Sequence, residues 1–192
     1  MTDGLGYTAA GFEDLGTGGS GFDLNSANGA NIVANKMRLN YVDGDAEVNV
    51  IIFPNVNGDI YAYYRLAFLG TSSFVALRLY TASDLSTWVE VRFTNAVDEF
   101  DNDKISIRTQ SATLDEEIAG SAVPNVYLQL EGTVLSAQWE DVVVSADLGS
   151  VPTFYRAAIV AQNKDLDTGI AHEFDNWFVC TVVPTGTSTW PL

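Results

Sequence analysis

From Phe22 onward, apolar and polar residues alternate in short runs broken by Asn, Asp, Gly and Ser. A period of two sends successive side chains to opposite faces of an extended strand, and no segment sustains the 3.6-residue period of a helix. The pattern predicts strands over 36–42, 46–53, 60–69, 74–80, 88–93, 105–109, 126–130, 135–144, 154–161 and 174–183. Asp43-Gly44 reads as a hairpin turn between the first two, because such turns need positive φ at both central residues. Asn57-Gly58 reads as the next turn. Evenly spaced short strands without helical crossovers predict an all-β fold, an antiparallel two-sheet jelly-roll sandwich. Residues 1–21, with GTGGSG at 16–21, read as an irregular arm, 22–183 as the sandwich and 184–192 as a tail.

Alternation also sorts the faces. Ala62, Tyr64, Leu66 and Phe68 oppose Tyr61, Tyr63, Arg65 and Ala67; Val75, Leu77 and Leu79 oppose Phe74, Ala76, Arg78 and Tyr80. Val89, Val91 and Phe93 oppose Trp88, Glu90 and Arg92, while Leu128 and Leu130 oppose Tyr127, Gln129 and Glu131. One face of each strand is aliphatic and suits a core. The other mixes aromatic rings with Arg, Glu and Gln. Tyr61, Tyr63, Arg65, Arg78, Tyr80, Trp88, Arg92, Tyr127 and Gln129 are expected to gather on one sheet. Rings against the apolar faces of sugars, with fork-shaped donors on the hydroxyls, are the chemistry of carbohydrate binding. The same residues also suit a subunit interface, where Tyr, Trp and Arg dominate. A solvated face with cross-strand pairs such as Arg92 with Glu90 or Glu131 is the third reading.

Charge narrows the partners. There are 25 Asp and Glu against 9 Lys and Arg, a net charge of −16. Phosphate backbones need cations to bind, and anionic leaflets repel acidic surfaces, so neither nucleic acid nor membrane is an expected partner. Cys180 stands alone, which excludes an internal disulfide. The opening MTDGLGYTAAGFEDLG lacks a basic start and apolar run, so synthesis in the cytoplasm without export is expected. His172 has no nucleophile-elbow serine or cysteine to serve, so a catalytic triad is unsupported.

The YLQLEGTVLSAQWED segment at 127–141 and the ending EFDNWFV at 173–179 resemble strands of the concanavalin A-like lectin and glucanase superfamily, laminin-G-like domains included. The resemblance runs from about Phe22 to Val183. It implies two antiparallel sheets, one concave, with sugar bound on the concave face or at the rim. Some relatives bind calcium, some hydrolyse β-glucans, and some occur on phage particles. The glucanase pattern of alternating carboxylates on one strand, two of them about 5 Å apart, is only approached here. Glu99, Asp101 and Asp103 lie in an acidic turn, and Glu173 and Asp175 are followed by Trp177. No cofactor is required. Calcium could sit on Asn163, Asp165 and Asp167, whose alternating oxygens suit that ion, with Asn55, Asn57 and Asp59 or residues 98–103 as weaker sets. Turn-favouring Asp and Asn explain the same residues without a metal.

The expectation is therefore a non-catalytic jelly-roll binding or structural module, placed by analogy in a virion as a capsid-decoration, tail or fibre protein. Its partners would be a glycan or other subunits of an oligomeric assembly. The alternatives are a β-glucan hydrolase and a calcium-dependent lectin.

Overall fold

A computed structural model describes residues 7–8, 22–23, 30–33, 36–39, 44–50, 56–57, 59–68, 73–94, 103–118, 125–139, 141–163, 172–180 and 185–186. Among them every regular element is a strand. In chain order they are β1 (Tyr7–Thr8), β2 (Phe22–Asp23), β3 (Ala30–Val33), β4 (Lys36–Leu39), β5 (Gly44–Val50), β6 (Val56–Asn57), β7 (Ile60–Phe68), β8 (Ser73–Tyr80) and β9 (Trp88–Thr94). There follow β10 (Lys104–Thr109), β11 (Thr113–Ile118), β12 (Asn125–Glu131), β13 (Val134–Trp139), β14 (Val142–Asp147), β15 (Thr153–Phe154), β16 (Arg156–Asn163), β17 (His172–Cys180) and β18 (Thr185–Gly186).

Two seven-stranded sheets carry the fold. The first has the order β11-β10-β9-β8-β16-β5-β2 and the second β14-β13-β12-β7-β17-β4-β3. All pairings within them are antiparallel. Two short ribbons, β1 with β18 and β6 with β15, complete the set. No helix among the described residues is long and apolar enough to cross a membrane.

The aliphatic faces meet as alternation requires. From the first sheet, Val75, Leu77, Leu79, Val89, Val91, Phe93, Ile105 and Ile107 are buried. From the second come Ile60, Val126, Leu128, Leu130, Leu135, Ala137, Trp139 and Val144. Phe93 meets Trp139 edge-on across the gap, centroids 3.8 Å apart at 89°. Each fully buried aliphatic side chain contributes about 1.5–3 kcal/mol, so this layer dominates stability.

Three local expectations change. Asp43-Gly44 does not close a hairpin, since β4 belongs to the second sheet and β5 to the first; the chain crosses between sheets there. The run 135–144 is two strands, β13 and β14, paired with each other around 140–141. β11 was not expected. Its Asp115, Glu116 and Glu117 depress strand propensity, yet it sits at a sheet edge, where charge is tolerated and blocks further pairing. Asp115 also joins the two sheets: its Oδ2 accepts the Ser145 N–H of β14 at 2.8 Å.

Candidate functional site: the outer face and rim of the first sheet

The nine residues expected on one sheet occupy two. Arg78 and Tyr80 of β8 and Trp88 and Arg92 of β9 point away from the core of the first sheet. Tyr61, Tyr63 and Arg65 of β7, with Tyr127 and Gln129 of β12, register on the outer side of the second. Alternation separates inside from outside correctly, but each strand's sheet depends on long-range pairing, which a local period does not encode. The side chains of Tyr63 and Arg65 lie outside the described residues.

On the second sheet, Tyr61 is buried at 3 % exposure and donates its hydroxyl hydrogen bond to Glu131 Oε1 at 3.0 Å. Its ring therefore offers no face to a ligand. Tyr127 and Gln129 are half-buried, opposite Gln138 and Ser136 of β13.

The first sheet is built differently. Glu90 is completely buried at the centre of its outer face. In register its cross-strand neighbours are Arg78 on β8 and Arg108 on β10. Arg78 Nε donates to Glu90 Oε2 at 2.9 Å. Arg92, two residues along β9, donates from Nε to Oε1 at 2.7 Å and from Nη2 at 2.5 Å. Both arginines also lie over rings: Arg78 Cζ is 4.3 Å from the Trp88 centroid, and Arg92 Cζ is 3.6 Å from that of Phe74. Such stacking is worth roughly 0.5–2 kcal/mol and fixes the guanidinium planes. Burial disfavours the Arg78 charge, but Glu90 and the Tyr80 hydroxyl outweigh it and hold this guanidinium above its ordinary value. Arg92 is displaced downward, first by burial and then by the neighbouring Arg108 and Arg78 cations, against the pull of Glu90. Phe74, Ala76, Tyr80 and Val160 form a buried apolar cluster on the same face, with Leu85 and Trp88 packed against it.

Trp88 stands where this face meets the end of the sandwich. Beside it lies a hollow of about 450 Å³ lined by Thr81, Trp88, Val89, Leu148, Ser150, Val151, Pro152, Thr153 and Tyr155. That volume falls within the usual range for small-molecule sites, roughly 300–1,000 Å³. The walls are pinned. Leu148 N–H donates to the Thr133 carbonyl at 2.8 Å, and Tyr155 N–H to the Tyr80 carbonyl at 2.9 Å. Gly149 takes φ +75, a left-handed conformation glycine adopts freely, and its N–H donates to Asp147 Oδ1 at 2.9 Å. The 81–87 turn is closed by Thr81 N–H to the Thr87 carbonyl at 2.9 Å, by Ser86 N–H to Asp84 Oδ1 at 3.0 Å, and by Gln110 Nε2 to the Ser86 carbonyl. A half-exposed indole, a phenol and several hydroxyls thus share one preorganised concavity.

Of these residues only Trp88 was singled out from sequence. Ser150 and Thr153 lie in a short connection whose turn residues signal a loop but not what it lines, and Tyr155 falls inside the strand predicted over 154–161.

The calcium sets divide. Asn163 ends β16, while Asp165 and Asp167 lie outside the described residues. Asp59 Oδ1 accepts the Gly132 N–H at 3.0 Å, serving the β12–β13 turn. Among the described residues no three His, Cys, Asp or Glu side chains are arranged to hold a metal. Glu99 and Asp101 also lie outside the described residues, as do the side chains of Glu173 and Asp175.

No family model and no curated protein matches the sequence. Solved structures do match the fold. Similar structures include a Bacillus licheniformis β-glucanase (TM-score 0.57, 11 % identity, 91 % of this chain and 94 % of that one). A Lotus tetragonolobus seed lectin matches with TM-score 0.57 and 9 % identity over 92 % and 93 % of the two chains. The carbohydrate-binding module CBM66 of Bacillus subtilis matches at 0.53 and 12 %, over 87 % and 93 %. The fold is therefore the concanavalin A-like jelly roll. At such identities the likeness shows architecture alone, and function rests on the site.

Proposed function

We propose that this protein is a non-catalytic carbohydrate-binding module whose sugar site is the rim hollow beside Trp88. The observation that carries this reading is the half-exposed Trp88 ring at the mouth of a pinned, hydroxyl-lined concavity. An indole face matches the C–H surface of a pyranose, and hydroxyl groups match its periphery. The names of the similar lectin and binding module support the same class.

A glycosidase of the retaining type needs two carboxylates about 5 Å apart, one free to attack the sugar. Glu90 is fully buried with both oxygens engaged by arginines, and its cross-strand neighbours are cations. It cannot play either part. The similar β-glucanase keeps hydrolysis as a second reading, with Glu99 as its test residue. A place in a virion rests on the sequence analogy alone.

A glycan array tests the proposal. The wild-type protein is expected to show specific hits that Trp88→Ala removes while the variant stays folded, with the wild-type β signature in circular dichroism. Hits that survive Trp88→Ala refute the assignment of the site. Sugar release from β-glucan, lost in Glu99→Gln, would instead establish the enzyme.

A further inference from the structure

The outer face of the first sheet carries more positive charge than its structure consumes. Glu90 has two oxygens, and Arg78 and Arg92 occupy both. Arg108, directly across from Glu90 on β10, is only part-buried and has no carboxylate partner among the described residues. Three guanidiniums therefore surround one carboxylate. Arg156 registers on the same face opposite Tyr80, so four of the chain's six arginines belong to it. This occurs in a chain with only 9 basic residues and a net charge of −16. Of the acidic positions on that face, Glu116 of β11 lies opposite Ser106 and is engaged by Lys104 Nζ at 2.9 Å, and Asp45 and Glu47 register on β5, three strands from β9 and hence about 14 Å away. Stability does not call for the surplus, since Arg108 beside Arg92 is repulsive: it contributes to the downward displacement of the Arg92 pKa.

Geometry links this charge to the rim. Trp88, Glu90 and Arg92 occupy alternate positions of one strand, so the arginine pair lies about 7–14 Å along β9 from the indole. Arg78 sits over Trp88 and Arg92 over Phe74, and with their bonds to Glu90 these contacts hold both guanidiniums in place. A fork of parallel N–H donors matches the oxygens of a carboxylate or sulfate.

Resting on the carbohydrate reading, we infer that the ligand is an acidic glycan, bearing carboxylate or sulfate groups, that runs from the Trp88 hollow onto the face of Arg92 and Arg108. Arg108 and the outward donors of Arg92 take the anionic group, while Trp88 takes a pyranose face. The overall negative charge does not prevent this, because at physiological salt fields fade over about 8 Å and the nearest cations decide.

The test is an array of uronate-, sialate- and sulfate-bearing oligosaccharides, each printed beside its neutral parent, followed by calorimetric titration of the hits. Acidic members are expected to bind more tightly than their parents, and more weakly as NaCl rises. Arg108→Gln is expected to lower that affinity about ten-fold while leaving neutral binding and folding intact. Which acid binds separates carboxylate from sulfate. Equal binding of acidic and neutral partners, or a preference unchanged in Arg108→Gln, overturns the inference while Trp88-dependent binding still upholds the carbohydrate reading. If no glycan of either kind binds, both fall.

Discussion

Replacing Glu90 by Gln isolates the electrostatics of the first sheet with almost no change in volume. The carboxylate is completely buried and takes hydrogen bonds from Arg78 at 2.9 Å and Arg92 at 2.7 Å. The amide keeps one acceptor oxygen but presents an N–H₂ to the other guanidinium and removes the only negative charge among three arginines. Breaking a buried ion pair by removing one partner costs about 3–5 kcal/mol. Here the arginine side chains retain 12 % and 16 % exposure and can recruit water, so the lower end, about 3 kcal/mol, is expected. In a chain of this length 1 kcal/mol moves the midpoint by about 2–4 °C, so Tm should fall by about 6–12 °C. Urea denaturation at pH 7 should show a lower midpoint at unchanged slope. Glu131→Gln, which removes the charge but keeps an exposed acceptor for Tyr61, provides the contrast at about 1 kcal/mol or less. The double variant Glu90→Gln with Arg92→Met should recover part of the loss, since the stranded cation is gone. A Glu90→Gln protein within 1 kcal/mol of wild type would refute this account of the face.

Three further outcomes follow from particular contacts. Gly132, at φ +58 in the β12–β13 turn, has nothing within 4 Å of an added Cβ, so Gly132→Ala should cost only backbone strain, about 1–2 kcal/mol by chemical denaturation, with an unchanged fold by NMR. Asp115→Ala removes the Oδ2 acceptor of Ser145 N–H, and amide exchange at Ser145 should accelerate while core amides of β9 do not. Asp84 is held below its ordinary value by hydrogen bonds from Ser86, and Asp147 by Gly149 and then Thr133. A depressed carboxylate stabilises the fold above the unfolded value of 3.8 and loses that contribution as pH falls through the lower folded value. Asp84→Asn and Asp147→Asn should therefore flatten Tm against pH in the acid range and leave its slope above pH 5 unchanged.

Much of the architecture is legible in the alternation of residues. Val75, Leu77, Leu79, Val89, Val91 and Phe93 are buried between the sheets as their period requires, and the jelly-roll class follows. What escapes is whatever depends on distant pairing. Asp43-Gly44 has hairpin chemistry, but tertiary packing draws its two flanking strands into different sheets. The strand predicted over 135–144 is broken where β13 gives way to β14, at Glu140-Asp141, which no Gly or Pro marks. The candidate face is half legible: Arg78, Trp88 and Arg92 do come together, while Tyr61 is buried on the opposite sheet. Glu90 looks from sequence like one partner of a surface pair, and only the register of β8, β9 and β10 places it between Arg78 and Arg108, with its oxygens bonded to Arg78 and Arg92. The hollow itself is assembled from the 81–87 turn and the 148–155 connection, which are distant in sequence.

NMR titration with an oligosaccharide selected from the array tests the placement of the site most directly. The Trp88 indole N–H and the backbone amides of Leu148, Ser150 and Tyr155 should shift together on one saturable curve. Shifts confined to Tyr127, Gln129 and Ser136 on the second sheet, with the Trp88 signal unmoved, would contradict it.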